Sequence, residues 1–145
     1  MIVGGLICPF LVTASAFTCN GPTNVALASN GATASASSSF TGHAASGAIN
    51  GDRRGLYVWQ NGYWAAASTG SAWLEVQFNG SKTISEIDVV VVQDNDQAPV
   101  EPTDTMTFAS YGMTAYDVQY WNGSSWVTVS GGSVTGNNKV WRKFS

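Results

Sequence analysis

Strict alternation closed by Asn-Gly constrains this chain more than any other feature. Residues 116–121 read Tyr-Asp-Val-Gln-Tyr-Trp, residues 126–129 read Trp-Val-Thr-Val, and Asn122-Gly123-Ser124-Ser125 lies between them. Asn-Gly is the dipeptide best suited to positive φ, so this stretch predicts a β-hairpin. Residues 73–78, Trp-Leu-Glu-Val-Gln-Phe, alternate as well, with Leu74, Val76 and Phe78 on one face and Glu75 and Gln77 on the other, and stop at Asn79-Gly80. Residues 83–92 carry Ile87, Val89 and Val91 on one face and Val90 and Val92 on the other, which predicts a strand central to a sheet and covered on both sides at its end. Residues 139–144 begin a further strand, and the small, polar residues 32–39 suit an edge strand. No long stretch has sustained helical periodicity, and 145 residues suffice for one domain. The expected class is all-β, built from short antiparallel strands in a sandwich or barrel.

Charge narrows the partners. Only 10% of the residues are charged and the formal net charge is −3. Six scattered basic residues cannot build the broad cationic surface that tracks phosphates, so nucleic acid is not an expected partner, nor is an anionic lipid surface. The two cysteines, Cys8 and Cys19, make neither a Cys/His metal set nor a disulfide framework for the body of the chain.

Residues 2–17 differ in kind, being uncharged and mostly apolar, with Ala14-Ser15-Ala16 in the small-x-small pattern that signal peptidase accepts. They read as a secretory signal without the usual positive start, or else as a strand of the folded product. The run is too short to span a bilayer, and Pro9 weakens a helix, so no transmembrane span is expected. The organisation is therefore residues 1–23 as a signal-like or apolar leading segment and residues 24–145 as the domain, in a secreted or cell-surface protein. Within that domain, residues 37–48, 52–72 and 93–114 read as long loops rich in aromatics, Asn, Asp and Arg. Long loops on a small domain are where binding usually resides.

The order Asn24-Val25-Ala26, Ala34-Ser35-Ala36-Ser37, Ala48-Ile49-Asn50-Gly51-Asp52, Trp59, the strand 73–80, residues 84–89 and residues 116–126 resembles the discoidin family, also called the coagulation factor V/VIII type C domain. Its bacterial members overlap carbohydrate-binding modules of galactose-binding-like fold. The resemblance implies an antiparallel jelly-roll β-sandwich, ligand-binding loops at one end, secretion, and commonly a structural calcium ion. In that family a strand like 139–144 is followed by further β segments, whereas this sequence stops at Ser145. Either the sequence is a fragment or another element fills the vacant place. Residues 2–17 are a candidate filler, from the same chain or from a neighbour, and an open sheet edge invites self-association.

By resemblance, Asp52 is the best side-chain ligand for calcium, with Asn50 assisting. The second acidic set, Asp94, Asp96, Glu101 and Asp104, reads as a solvated loop because Pro99 and Pro102 splay it. Sugar recognition combines an aromatic ring against the apolar face of the pyranose with planar polar groups that bond its hydroxyls. The loops offer Phe40, Tyr57, Trp59, Trp64 and Tyr111 as rings, with His43, Arg53, Arg54, Asn61 and Asn95 as polar partners. Trp59 is assigned to packing and Trp64 and Tyr111 to stacking; His43, Arg53 and Asn95 complete the expected set, and one of the two arginines pairs with a carboxylate such as Asp52. No nucleophile elbow, P-loop, dinucleotide fingerprint or zinc-protease motif occurs. The reading is a non-catalytic, extracellular glycan-binding module, and the alternative is a structural or adhesive surface subunit that assembles by strand donation into an incomplete sandwich.

Overall fold

A computed structural model gives the architecture and describes residues 23–56, 61–95 and 97–145. The readings made for residues 2–17, the two cysteines, Tyr57, Trp59 and Asp96 lie outside the described residues. Among the described residues six strands carry the fold: β1 (Thr33–Ala36), β2 (Leu74–Gln77), β3 (Ile87–Val90), β4 (Tyr116–Trp121), β5 (Trp126–Val134) and β6 (Trp141–Phe144). Two short 3-10 turns, Ala28–Asn30 and Ala45–Ile49, are the helical elements among the described residues. The protein is all-β, as the alternation predicts. Its sheets are small antiparallel pairs, β1 with β2, β3 with β6 and β4 with β5.

The alternation within each strand explains which face is buried. In β2, Leu74 and Val76 are buried while Gln77 is exposed, and β1 lies antiparallel to it with Ala34 opposite Val76. In β3, Ile87 and Val89 are buried on one face. On the other face Asp88 is buried and Val90 half-buried, which accords with the two-sided covering read from the sequence. Asp88 tolerates burial because its Oδ1 accepts the indole N–H of Trp141 from β6 at 2.9 Å. The β3–β6 ladder continues past its ends: Val91 N–H donates to Val140 O at 2.8 Å, and Val140 N–H donates to Met106 O at 3.0 Å. Residues 106–108 thereby join the flank of β6, with a bridge between Thr107 and Lys139.

The 116–129 hairpin forms as expected. Asn122 Oδ1 accepts the backbone N–H groups of Ser124 and Ser125, both at 2.9 Å, and Trp121 meets Trp126 edge-on at 5.7 Å across the strands. The structure extends β5 beyond the sequence reading, from Val129 to Val134. The ladder jumps from Asp117–Ser133 to Gln119–Thr128, so residues 129–132 form a bulge. Gly131 adopts φ +68°, and a Cβ at Gly132 would stand 2.8 Å from Val118 O, so the two glycines let the strand continue through the bulge.

The larger core joins the β3–β6 and β4–β5 pairs through Ile87, Val89, Val118, Val134, Val140 and Phe144. A smaller one under β1 and β2 gathers Ala26, Ala32, Ile49 and Val76. The 3-10 turn Ala45–Ile49, which the sequence presented as loop, supplies Ile49 to this second core and packs on β1. Among the described residues no helix is long and apolar enough to cross a membrane.

Candidate functional site

The loops between β1 and β2 are held by backbone and by short polar side chains. Ser37 N–H donates to Trp73 O at 2.9 Å, Phe40 N–H to Ala65 O at 2.8 Å and Asn61 N–H to Gly42 O at 2.9 Å, so the segments flanking the 3-10 turn run side by side. Asn61, at φ +59°, is the one non-glycine residue with positive φ among those described, and its Oδ1 accepts Ala44 N–H at 2.9 Å. Gly47 presses on this turn: a Cβ there would lie 2.6 Å from Asn61 O and 2.7 Å from the Tyr63 carbonyl carbon. Trp64, which follows, is half-buried and donates its indole N–H to Ser38 O at 3.0 Å. The anchored edge fixes the orientation of the ring.

Long-range contacts bring the 93–114 loop onto the 50–56 turn. Gln93 is buried, donates its Nε2 to Val100 O at 2.8 Å and to Arg54 O at 3.2 Å, and accepts Val100 N–H at 3.0 Å. Arg53 Nε lies 3.2 Å from Glu101 Oε1, and its guanidinium sits 3.8 Å above the centre of the Trp141 ring. Asp94 holds the far end of the loop. Its carboxylate accepts the N–H groups of Ala109 at 2.7 Å, Ser110 at 3.0 Å and Tyr111 at 3.3 Å. The bonds from Ala109 and Ser110 chiefly hold its pKa below the usual carboxylate value, against a smaller opposing effect of burial.

These supports shape one open groove of about 1310 Å³. Asp52, Arg53, Arg54, Trp64, Trp73 and Tyr111 are among the residues that line it. Of the expected sugar-contacting residues, the structure thus brings Arg53, Trp64 and Tyr111 together. His43 and Asn95 are elsewhere. His43 is buried at 3% exposure and packs between Phe40 and Tyr63, with ring centroids 5.8 and 4.5 Å away, so it supports the loop from behind. Asn95 turns its amide onto Ala98 O at 2.6 Å within its own loop.

The two arginines divide as the sequence allowed. Arg54 Nε pairs with Asp52 Oδ1 at 3.3 Å, and its side chain is 44% exposed against 18% for Arg53. The accessible guanidinium on the groove is that of Arg54. Trp73 is a further ring on the groove, outside the loops from which the expected set is drawn. It is 52% exposed and stands one residue before β2, whose outward face carries Glu75 and Gln77, an orientation that the alternation already indicated. At the floor, burial raises the pKa of the Tyr116 phenol above its ordinary value, partly offset by the positive charge of Arg142.

The Asn50-Gly51-Asp52 turn, for which the resemblance implies a calcium role, turns its side-chain oxygens onto its own backbone. Asn50 Oδ1 accepts Asp52 N–H at 2.8 Å, Asp52 Oδ1 accepts Arg54 N–H at 3.0 Å, and Asp52 Oδ2 accepts Leu56 N–H at 2.6 Å. Calcium takes six to eight oxygens, and here the side-chain oxygens are committed to backbone donors beside a guanidinium. Among the described residues no group of three or more His, Cys, Asp or Glu side chains gathers around a point that would hold a metal. The turn closes on itself through Asx hydrogen bonds.

Compared with known proteins, residues 57–74 match a family model described as a WXXGXW repeat in two copies. The residues Trp59-Gln60-Asn61-Gly62-Tyr63-Trp64 carry that spelling, and the matched stretch takes in both Trp64 and Trp73. No curated protein and no solved structure matches the chain.

Proposed function

We propose that this chain is a non-catalytic, extracellular carbohydrate-binding domain, a jelly-roll sandwich of galactose-binding-like type whose loop rim holds the sugar. The observation that carries the reading is the convergence of Trp64, Trp73 and Tyr111 on one open groove beside the Arg54–Asp52 pair. Aromatic faces take the apolar C–H side of a pyranose, and a guanidinium beside a carboxylate offers donors and acceptors in one plane for neighbouring hydroxyls. The supports are built for rigidity: the indole anchor on Ser38, the Asp94 clamp on residues 109–111 and the Gln93 link to Arg54 each fix part of the rim before a ligand arrives. Preorganisation of this kind lowers the entropic cost of binding. Arg53, engaged with Glu101 and Trp141, acts as a brace under the rim.

The test is a glycan-array screen of the full chain followed by titration of any hit against Trp64→Ala, Tyr111→Ala and Arg54→Ala, with circular dichroism to confirm folding. Binding that is lost in these variants supports the reading. An array with no hits, or a hit indifferent to all three substitutions, overturns it.

A further inference from the structure

The contact residues of the groove come in two tethered pairs. Ser37 and Ser38 hold the first. Ser37 Oγ accepts the backbone N–H of Trp73 at 3.0 Å, Ser37 N–H donates to Trp73 O at 2.9 Å, and Ser38 O accepts the Trp64 indole N–H at 3.0 Å. Gln93 and Asp94 hold the second, through Gln93 Nε2 on Arg54 O at 3.2 Å and Asp94 Oδ1 on the backbone N–H of Tyr111 at 3.3 Å. Within each pair the anchoring residues are consecutive, with Cα atoms about 3.8 Å apart. The attachment points of Trp64 and Trp73 are therefore neighbours, and so are those of Arg54 and Tyr111.

Three rings on one groove set a lower bound on the ligand. A pyranose has two faces and stacks on at most two rings, so Trp64, Trp73 and Tyr111 together call for more than one sugar. Trp73 and Tyr111 are 52% and 62% exposed, which leaves their faces available. The groove volume of about 1310 Å³ also exceeds the ~300–1,000 Å³ of pockets that enclose one small ligand.

The charges on the groove select against an acidic glycan. Its carboxylates, Asp52, Asp88 and Asp117, outnumber its arginines, Arg53 and Arg54. Arg53 is already paired with Glu101, and the chain as a whole carries a formal −3. A uronate or sulfated chain gains no electrostatic attraction from such a surface. The carboxylates are turned to internal work: Asp52 on Arg54, Asp88 on the Trp141 indole and Asp117 on the Ser133 hydroxyl.

We infer that the ligand of this groove is the interior of a neutral polysaccharide chain, with two or more consecutive sugars in contact at once. The inference rests on the carbohydrate-binding reading above and names its ligand class. Trp64 and Trp73 take adjacent sugars of the chain, Tyr111 takes a further face, and Arg54 bonds the hydroxyls between them.

Native gel electrophoresis of the full chain through soluble polysaccharides tests this. The neutral probes are mixed-linkage β-glucan, galactomannan, arabinoxylan and pullulan; the acidic ones are polygalacturonate, alginate and dextran sulfate. Fragments of the polymer that retards the protein, from monosaccharide to hexasaccharide, are then titrated by calorimetry. Retardation by a neutral polymer that added salt does not weaken supports the inference. So does an affinity that rises at least about tenfold from monosaccharide to trisaccharide, and that survives methyl caps on both ends of the trisaccharide. Trp73→Ala then removes most of that rise, whereas Trp121→Ala on the hairpin keeps it. A monosaccharide that binds as tightly as the trisaccharide, binding abolished by the caps, or retardation by the acidic polymers alone overturns the inference and leaves the carbohydrate-binding reading standing. Silence of every polymer together with an empty glycan array overturns both.

Discussion

Replacing Gly47 by alanine places a methyl group where the backbone of the neighbouring turn already lies. The added Cβ would stand 2.6 Å from Asn61 O, 2.7 Å from the Tyr63 carbonyl carbon and 2.8 Å from Tyr63 O. All three are main-chain atoms, so no side chain can rotate away and the turn itself must move. Forced overpacking of this kind costs about 1–3 kcal/mol. At about 2–4 °C per kcal/mol for a domain of this size, the thermal midpoint falls by roughly 2–12 °C. The displaced turn leads directly into Trp64, so the groove also loses its ring geometry, and affinity for any glycan ligand falls further than stability alone explains. Differential scanning calorimetry reads the first effect and titration at a temperature well below both midpoints reads the second. Ser46→Ala, an exposed position in the same 3-10 turn, serves as the control and stays within about 0.5 kcal/mol of the parent. A Gly47→Ala protein that melts with the parent would refute the close approach on which this argument stands.

Acid loosens the Tyr111 end of the rim. Asp94 has a folded pKa below its ordinary 3.8, so its stabilising contribution is complete above 3.8 and disappears as the pH falls through the lower folded value. Amide resonances of Ala109, Ser110 and Tyr111 should hold steady from neutral pH down to that range and move together below it, and Asp94→Asn should reproduce the acid positions at neutral pH. The arginines should separate stability from binding. Arg53→Ala removes the Glu101 ion pair and the stack on Trp141 and costs about 1–2 kcal/mol by chemical denaturation, while Arg54→Ala costs less than about 1 kcal/mol yet weakens sugar binding. Calcium should leave the protein indifferent: with the oxygens of Asn50 and Asp52 held by backbone donors, millimolar calcium and excess chelator should give the same melting curve. A clear upward shift with calcium would mean that the turn opens to receive the ion.

What the sequence disclosed, it disclosed through local rules. The alternation of residues 73–78 and the Asn-Gly of the 116–129 hairpin predict β2, β4 and the start of β5 because a period of two and a positive-φ dipeptide act within a few residues. The continuation of β5 stayed hidden, since Gly131-Gly132 is spelled like a turn and becomes a bulge only when Val118 lies across from it. The rim was legible in its residue types but not in its pairings. Asp94 meets the N–H of Tyr111 seventeen positions away, and Gln93 meets Arg54 across thirty-nine, separations at which no motif operates. His43 looked like a hydroxyl partner on a glycine-flanked loop, and only the arrival of Phe40 and Tyr63 on either side makes it part of the interior. Trp73 escaped because it stands at a strand start, where an outward ring is easily counted with the sheet.

The most direct measurement of the central claim is the indole N–H region of a ¹⁵N spectrum during titration with the strongest glycan from the array. The account predicts saturable shifts of the Trp64 and Trp73 indoles, together with the backbone of residues 109–111, while Trp121 and Trp126 at the hairpin stay in place. Shifts confined to Trp121 and Trp126, or no shift at any ligand concentration reached, would contradict it.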